Sequence, residues 1–208
     1  MDYVTADLHF GHTRIISFER TQFKTIGEHD EYIVRSLNSF LKPDDTLYIL
    51  GDVGFQTNGS YDYISSLVRR IECGKKILVY GNHDRFNSDV AKNMGFDEIH
   101  KGPMYYETGL TQGGIILSHE PVKEALDNPY VANVHGHIHN GKLKLGNYKN
   151  VNIAETNYRP MCLSAFEKEM AAKLKGRRET FGREWYYEYY DLHKAGAKKD
   201  ERIGEESK

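Results

Sequence analysis

The stretch VHGHIHNG, residues 134–141, sets His135, His137 and His139 at alternate positions directly after the apolar-flanked run PYVANV. Alternate side chains of an extended chain share one side, so several imidazoles can face one point and act as metal ligands or as acids and bases. Four other places carry chemistry of the same kind: Asp7 and His9 in ADLH, Asp52 in LGD, Asn82, His83 and Asp84 in GNHD, and His119 in LSHEP. Each has an ordinary explanation when taken alone. Asp-x-His and Gly-Asp are common in caps and turns, Gly-Asn tolerates positive φ, and a lone histidine is more often a satisfied core residue than a ligand. Together, in this order and each after an apolar run, they point to one shared site.

The elements that must position these residues are strands. YVTADLH, TLYILGD (46–52), KILVYGNHD (76–84), GIILSHEP (114–121), VANVHGHIH (131–139) and VNIAE (151–155) are short apolar runs rich in Val, Ile and Tyr and bounded by Gly or polar residues, the signature of buried strands. Helical periods lie between them. GEHDEYIVRSLNSFLKP places Ile33, Leu37, Phe40 and Leu41 on one face, with Thr25 and Glu28 spaced as a capping box and Pro43 closing it. YDYISSLVRRI repeats the period with Ile64, Leu67, Val68 and Ile71 before Gly74; SDVAKNMGF reads as a shorter helix with Ser88 as N-cap and Gly95 past its end. SAFEKEMAAKL has Ser164 and Glu167 in capping-box spacing and Phe166, Met170 and Leu174 as a stripe, and GPMYYETGLTQGG reads as a hairpin. Strands alternating with helices predict an α/β layering, and loops at strand C-termini are where such folds assemble ligand sites.

With 208 residues, 39% hydrophobic and 28% charged, the chain suits one soluble globular domain. No run approaches a membrane span and MDYVTADLHF has no basic leader pattern, so the expected address is cytoplasmic, without a membrane partner. A formal net charge of −2 argues against strong general nucleic-acid binding; the basic cluster KLKGRR (173–178) reads first as a solvated helix end. Cys73 and Cys162 have no Cys-x-x-Cys partner and are expected as reduced, mostly buried thiols. REWYYEYYDLHK (183–194) concentrates aromatic residues, for which packing or a homodimer contact is the ordinary explanation and base stacking the sharper one. Residues 195–208 read as a frayed tail.

The ordered set DLH, GD, GNHD, lone His and GHIH resembles the calcineurin-like metallophosphoesterases, and ADLHFGHTRIISF and AETNYRP resemble a small bacterial and phage branch of that family. The resemblance implies a four-layer sandwich over residues 1–194: two mixed β sheets packed face to face with helices outside. It implies two divalent metal ions, the first held by Asp7, His9, Asp52 and His139, the second by Asp52, Asn82, His119 and His137, with Asp52 bridging. His135 is then left for a supporting role. Imidazole, carboxylate and amide ligands without thiolate suit Mn, Fe, Zn or Ni, with Mn the leading expectation. His83 would face the leaving group as general acid. Asp84 would either orient that ring or serve as a turn residue. His12, and with less weight Arg14, would reach the phosphate or the rim of the site, or simply start a helix. The expected activity is a phosphodiesterase on a small nucleotide-type ester, by attack of a metal-bridging hydroxide. The alternatives are phosphomonoester or phosphoprotein hydrolysis at the same site, or a metal-binding scaffold without catalysis.

Overall fold

In a computed structural model, described for residues 1–109, 114–128, 130–139, 143 and 147–174, nine strands form two mixed sheets. Along the chain run β1 (Asp2–Thr5), α1 (Ile15–Phe18), α2 (Ile26–Phe40), β2 (Thr46–Leu50), α3 (Asp62–Arg69), β3 (Lys75–Val79), α4 (Ser88–Met94) and β4 (Glu98–His100). Then follow β5 (Met104–Tyr106), β6 (Gly114–Leu117), α5 (Glu124–Asp127), β7 (Val131–His135), β8 (Tyr148–Asn150), β9 (Met161–Cys162) and α6 (Leu163–Leu174). The first sheet has the order β4-β3-β2-β1-β9, parallel except for β9, and the second the order β5-β6-β7-β8, parallel except for β5. The aromatic stretch 183–194, the tail 195–208 and most of KLKGRR lie outside the described residues.

Strand alternation builds the layers. Tyr48 and Leu50 of β2, with Ile77 and Val79 of β3, pack on Ile115, Leu117, Ala132 and Val134 of the second sheet. Their chain neighbours Leu47, Ile49 and Leu78 point the other way, onto Ile33, Leu37, Ile64, Leu67 and Met94 of α2, α3 and α4. Ile116 and Val131 cover Ala125 of α5 on the far side of the second sheet. A strand buried on both faces reads as an unbroken apolar run, which is why TLYIL and KILV show no polar alternation. The layers are therefore helix, sheet, sheet, helix, the sandwich implied by the resemblance.

Local expectations were met in some places and displaced in others. Thr25 caps α2, its Oγ1 accepting from Glu28 N at 3.1 Å, while Glu28 Oε2 accepts from Lys24 N, one residue before the position of a reciprocal box. Phe40 is exposed rather than buried: the helix ends there and extended Leu41 takes the core position, leaving the Phe40 ring beside the Arg159 guanidinium. The N-cap of α4 is Asn87, not Ser88, since Asn87 is extended and its Oδ1 accepts from Val90 N at 3.0 Å; Gly95 ends the helix at φ 99°. Ser164 lies inside α6 rather than capping it, and Glu167 accepts from Gly109 N. Both cysteines are half-buried, more open than expected. The strand expected at 151–155 lies at 148–150 instead, because the chain then crosses to the first sheet: Val151 N still bonds His135 O of β7, while Val151 O and Ile153 N bond Ala6.

Candidate metal centre

The site forms where the two sheets meet. Ala6 N donates to Val151 O at 3.0 Å and Ile153 N to Ala6 O at 2.9 Å, tying the end of β1 to the chain leaving β8. Beyond their strands the loops after β1 and β2 continue side by side: Asp7 N bonds Gly51 O, His9 N bonds Asp52 O, and Phe10 N bonds Val53 O. The loops after β6 and β7 are joined in the same way, Gly136 N donating to His119 O at 2.9 Å. The two pairs of loops then meet across the top, where His137 N donates to both oxygens of Asp7 at 3.1 Å.

Five of the candidate ligands have left-handed backbones: Asp7 (φ 57°), His9 (φ 52°), Asp52 (φ 52°), His137 (φ 66°) and His139 (φ 42°). For residues other than glycine this costs on the order of 1–2 kcal/mol each and persists only where surrounding contacts determine it. Here the loop–loop bonds do so. The turns abandon strand geometry so that consecutive side chains no longer alternate, and the ligands converge. Two motif glycines allow the approach: a Cβ on Gly136 would collide with Asp7 Oδ2, and one on Gly81 with Asp52 Oδ1.

Two ligand sets result, Asp7 with His9 and His139, and Asp7 with Asp52 and His119. Asp52 lies between His9 and His119, with Oδ2 3.8 Å from His9 Nε2 and Oδ1 3.5 Å from His119 Nε2. Asn82 Oδ1 is 2.8 Å from His119 Nε2 and 3.2 Å from His137 Nδ1, and those two nitrogens are 3.2 Å apart. The seven residues named for the two metals are thus together, though it is Asp7 that belongs to both sets and Asp52 to one.

The donor chemistry fits cations. Both ring nitrogens of buried His9 lack a hydrogen-bond partner, a costly state that a metal ion would relieve at the nitrogen it binds. Burial, then the charges of Arg20 and His139, holds His9 well below its usual pKa, and burial likewise lowers His119, so both keep lone pairs for coordination. Asp7 is pushed up to about 7, first by burial and then by the charge of Asp52; two buried carboxylates so close favour a shared positive charge. Glu19 hydrogen-bonds His139 Nδ1, which raises His139 against its burial and leaves Nε2 for a metal.

The remaining candidates separate by position. His83 is exposed, its ring 6.3 Å from that of His9 and its backbone N–H donating to Asp52 Oδ1 at 3.0 Å. Asp84 is buried and orients no imidazole: its carboxylate accepts from Asp52 N, Val53 N and Gly81 N at 2.8–2.9 Å. It fastens the β2 loop to the β3 loop, and burial raises it to about 7 despite those donors. His12 lies at the rim with its ring 4.2 Å from Phe55, and its carbonyl accepts from Ile15 N at the start of α1. Arg14 is the exposed residue preceding α1. His135 is buried, with Nδ1 2.9 Å from Gly136 O, away from the ligand sets.

Sequence reasoning missed Glu19, which pairs with His139, and Arg20. Arg20 is fully buried and donates to the carbonyl oxygens of Asp7 at 2.5 Å and Leu8 at 3.0 Å. Neither follows a strand, and a Glu-Arg pair near a short helix normally reads as solvated surface. The signal available was the interruption of polar chain by the buried Ile15 and Phe23 on either side.

Residues 3–192 match the calcineurin-like phosphoesterase family. Gene 66 protein of Mycobacterium phage L5 is 31% identical over 133 residues, 57% of this chain; the chain spans 62% of the phage protein's length. An uncharacterized protein, MJ1445, of Methanocaldococcus jannaschii is 26% identical over 170 residues, 80% of this chain and 89% of that one. The crystal structure of AQ665, a protein of unknown function from Aquifex aeolicus, superposes with a TM-score of 0.65 at 28% identity, covering 81% of this chain and 98% of that chain.

Proposed function

The chain belongs to the calcineurin-like phosphoesterase family, and we propose that it hydrolyses nucleotide-type phosphodiesters with two divalent metal ions, of which Mn²⁺ is the leading choice. The observation that carries the reading is the pair of ligand sets sharing Asp7, with Asp52 between them and the unpartnered Nε2 of His9 3.8 Å from the Asp52 carboxylate. When bound, two such ions acidify water toward neutral pH and neutralise phosphoryl oxygens.

The chain's own residues supply the rest. His83, exposed at the mouth and anchored by its N–H on Asp52, donates a proton to the leaving oxygen. Asp84 keeps Asp52 and the Gly81–Asn82–His83 turn in register through its three backbone bonds. Asn82 and His12 flank the phosphate, and Glu19 keeps His139 in its tautomer. The mouth is open on several sides, with no covering domain among the described residues, which favours diesters over monoesters alone. No helix among these residues is long and apolar enough to cross a membrane.

The test is hydrolysis by the purified protein of aryl mono- and diesters, cyclic nucleotides and short oligonucleotides with Mn²⁺, before and after chelation. Chelation abolishes turnover and Mn²⁺ restores it, and Asp52→Asn costs more than His139→Ala because Asp52 lies against both sets. Full turnover by protein free of metal by elemental analysis refutes the reading; monoesters as the only substrates refute the diester preference.

A further inference from the structure

Among the described residues, three clefts lie around the metal centre, and they differ in charge. One of about 450 Å³ passes Phe55, His83 and Arg85. A second of about 370 Å³ passes Asn82, His119 and Lys101. The third, about 500 Å³, begins at His139 and runs between Phe18, Glu19 and Gln22 on one wall and Glu155 and Asn157 on the other. Each of the first two has a basic residue, accompanied in the second by Glu120. The third has two carboxylates and neither lysine nor arginine in its lining.

The walls of the third cleft are built rather than loose. Tyr158 forms its floor with a left-handed backbone, φ 61°, next to Asn157 at φ 55°. A tyrosine in that conformation is strained, and it is held by its neighbours. Its ring meets Phe23 and Tyr32 edge-on at 5.4 and 5.2 Å, its hydroxyl accepts from Gln22 Nε2 at 2.6 Å, and its carbonyl accepts from Ser36 Oγ at 2.5 Å. The result is a fixed turn that presents the exposed Asn157 amide and Glu155 carboxylate. Opposite them Phe18, 65% exposed, holds out an aromatic ring at the lip, while Ile15 on the same short helix anchors it in the core.

We propose that this cleft is the subsite for an uncharged nucleoside carried on the scissile phosphate, with the base on Phe18 and the sugar hydroxyls toward Glu155 and Asn157. The proposal rests on the phosphodiesterase reading above. The rings of His139 and His83 lie 5.2 and 6.3 Å from that of His9. In-line displacement sets the leaving oxygen opposite the attacking water, so the retained ester group lies beside that axis, where the cleft at His139 opens to receive it. The carboxylates favour sugar hydroxyls, which donate to them, and repel a further phosphate. A volume of about 500 Å³ is within the range of small-molecule sites.

The test compares methyl 4-nitrophenyl phosphate with the 4-nitrophenyl ester of thymidine 5′-phosphate, with and without a 3′-phosphate. In each case water oxygen bonds to phosphorus as the P–O bond to nitrophenolate breaks, so only the retained group differs. Wild-type protein prefers the nucleoside ester in kcat/KM, and the 3′-phosphate lowers that preference. Phe18→Ala reduces the nucleoside-over-methyl ratio by roughly five- to hundredfold, the span of one stacked base. Glu155→Lys removes the penalty of the 3′-phosphate. Ratios unchanged in both variants overturn the proposal. If the wild type turns over none of the esters, the phosphodiesterase reading falls, and binding of thymidine 5′-monophosphate by calorimetry judges the cleft alone. Weaker binding to Phe18→Ala than to the wild type sustains the subsite, and equal affinities overturn it.

Discussion

Replacing Arg20 with methionine tests whether the metal loop is held from behind. Arg20 is fully buried and donates to Asp7 O at 2.5 Å and to Leu8 O and His29 Nε2 at 3.0 and 2.7 Å. With Nε2 accepting, His29 Nδ1–H faces Asp30 Oδ1 at 2.7 Å, and Asp30 Oδ2 accepts from Gly11 N at 3.0 Å and Tyr63 Oη at 2.9 Å. The chain Arg20–His29–Asp30 thus grips the Asp7–Gly11 loop at both ends. Methionine replaces the aliphatic stem of arginine but stops short of the guanidinium and donates nothing. Two buried carbonyls lose their side-chain donor, at about 1–3 kcal/mol for each group left unsatisfied, and Asp30 loses its buried countercharge, a break that typically costs about 3–5 kcal/mol. These costs overlap, and burying arginine is itself expensive, so a net loss of about 3–5 kcal/mol is expected in urea unfolding of the metal-free protein. A general packing defect would produce that loss alone. Because Asp7 and His9 are left-handed around the gripped carbonyls, calorimetric titration should also show Mn²⁺ affinity reduced about 10- to 100-fold, the usual effect of removing support from ligands. Gentler His29→Gln, which keeps an acceptor and a donor, should lie between. A loss under about 1 kcal/mol, or reduced stability with Mn²⁺ affinity intact, refutes the reasoning.

His83→Ala should lower kcat by about 10²–10⁴-fold with both metals retained, and the defect should shrink for nitrophenolate, which departs without a proton; equal losses for nitrophenyl and nucleoside leaving groups would count against an acid role. Gly136→Ala puts a methyl group against Asp7 Oδ2, so it should weaken Mn²⁺ binding and cost about 1–3 kcal/mol; wild-type melting and affinity would show that the loop relaxes freely. In the metal-free protein, Asp7 titrates at about 7 rather than at 3.8, so the native state holds a proton that the unfolded state releases. Its contribution is intact below pH 3.8 and is lost as pH rises through about 7, at up to about 1.4 kcal/mol per pH unit. Mn²⁺, which requires the ionised form, should reverse the trend, and a metal-free Asp7→Asn variant whose stability changes with pH just as the wild type's does would contradict the assignment.

By itself the sequence determined the type and order of the chemistry. Asp7, His9, Asp52, Asn82, His119, His137 and His139 stand where apolar runs end, and burial on both faces makes those runs recognisable from composition alone. It also determined the helical stripes, because Ile33, Leu37, Ile64 and Leu67 repeat at a period that only a helix places on one side. Strands as short as β4 and β9 have too few residues for any period to show. The sequence pointed to Ser88 as the N-cap of α4, but the extended backbone sets the cap one residue earlier, at Asn87.

Tertiary structure decided how the ligands converge. Local propensity disfavours a left-handed backbone at Asp7, His9, Asp52, His137 and His139, so no local pattern announces it. The paired loops impose it through bonds between residues far apart in the chain, such as Asp7 N to Gly51 O and Gly136 N to His119 O. The same holds for Asp84, whose motif suggests chemistry but whose carboxylate is taken by three backbone N–H groups from two loops. It holds equally for Glu19 and Arg20, adjacent charged residues in a polar stretch. Only the return of α1 beneath the β1 loop sends one to His139 and buries the other under Asp7. A charge becomes buried through partners distant in the chain, and those partners exist only once the two sheets have met.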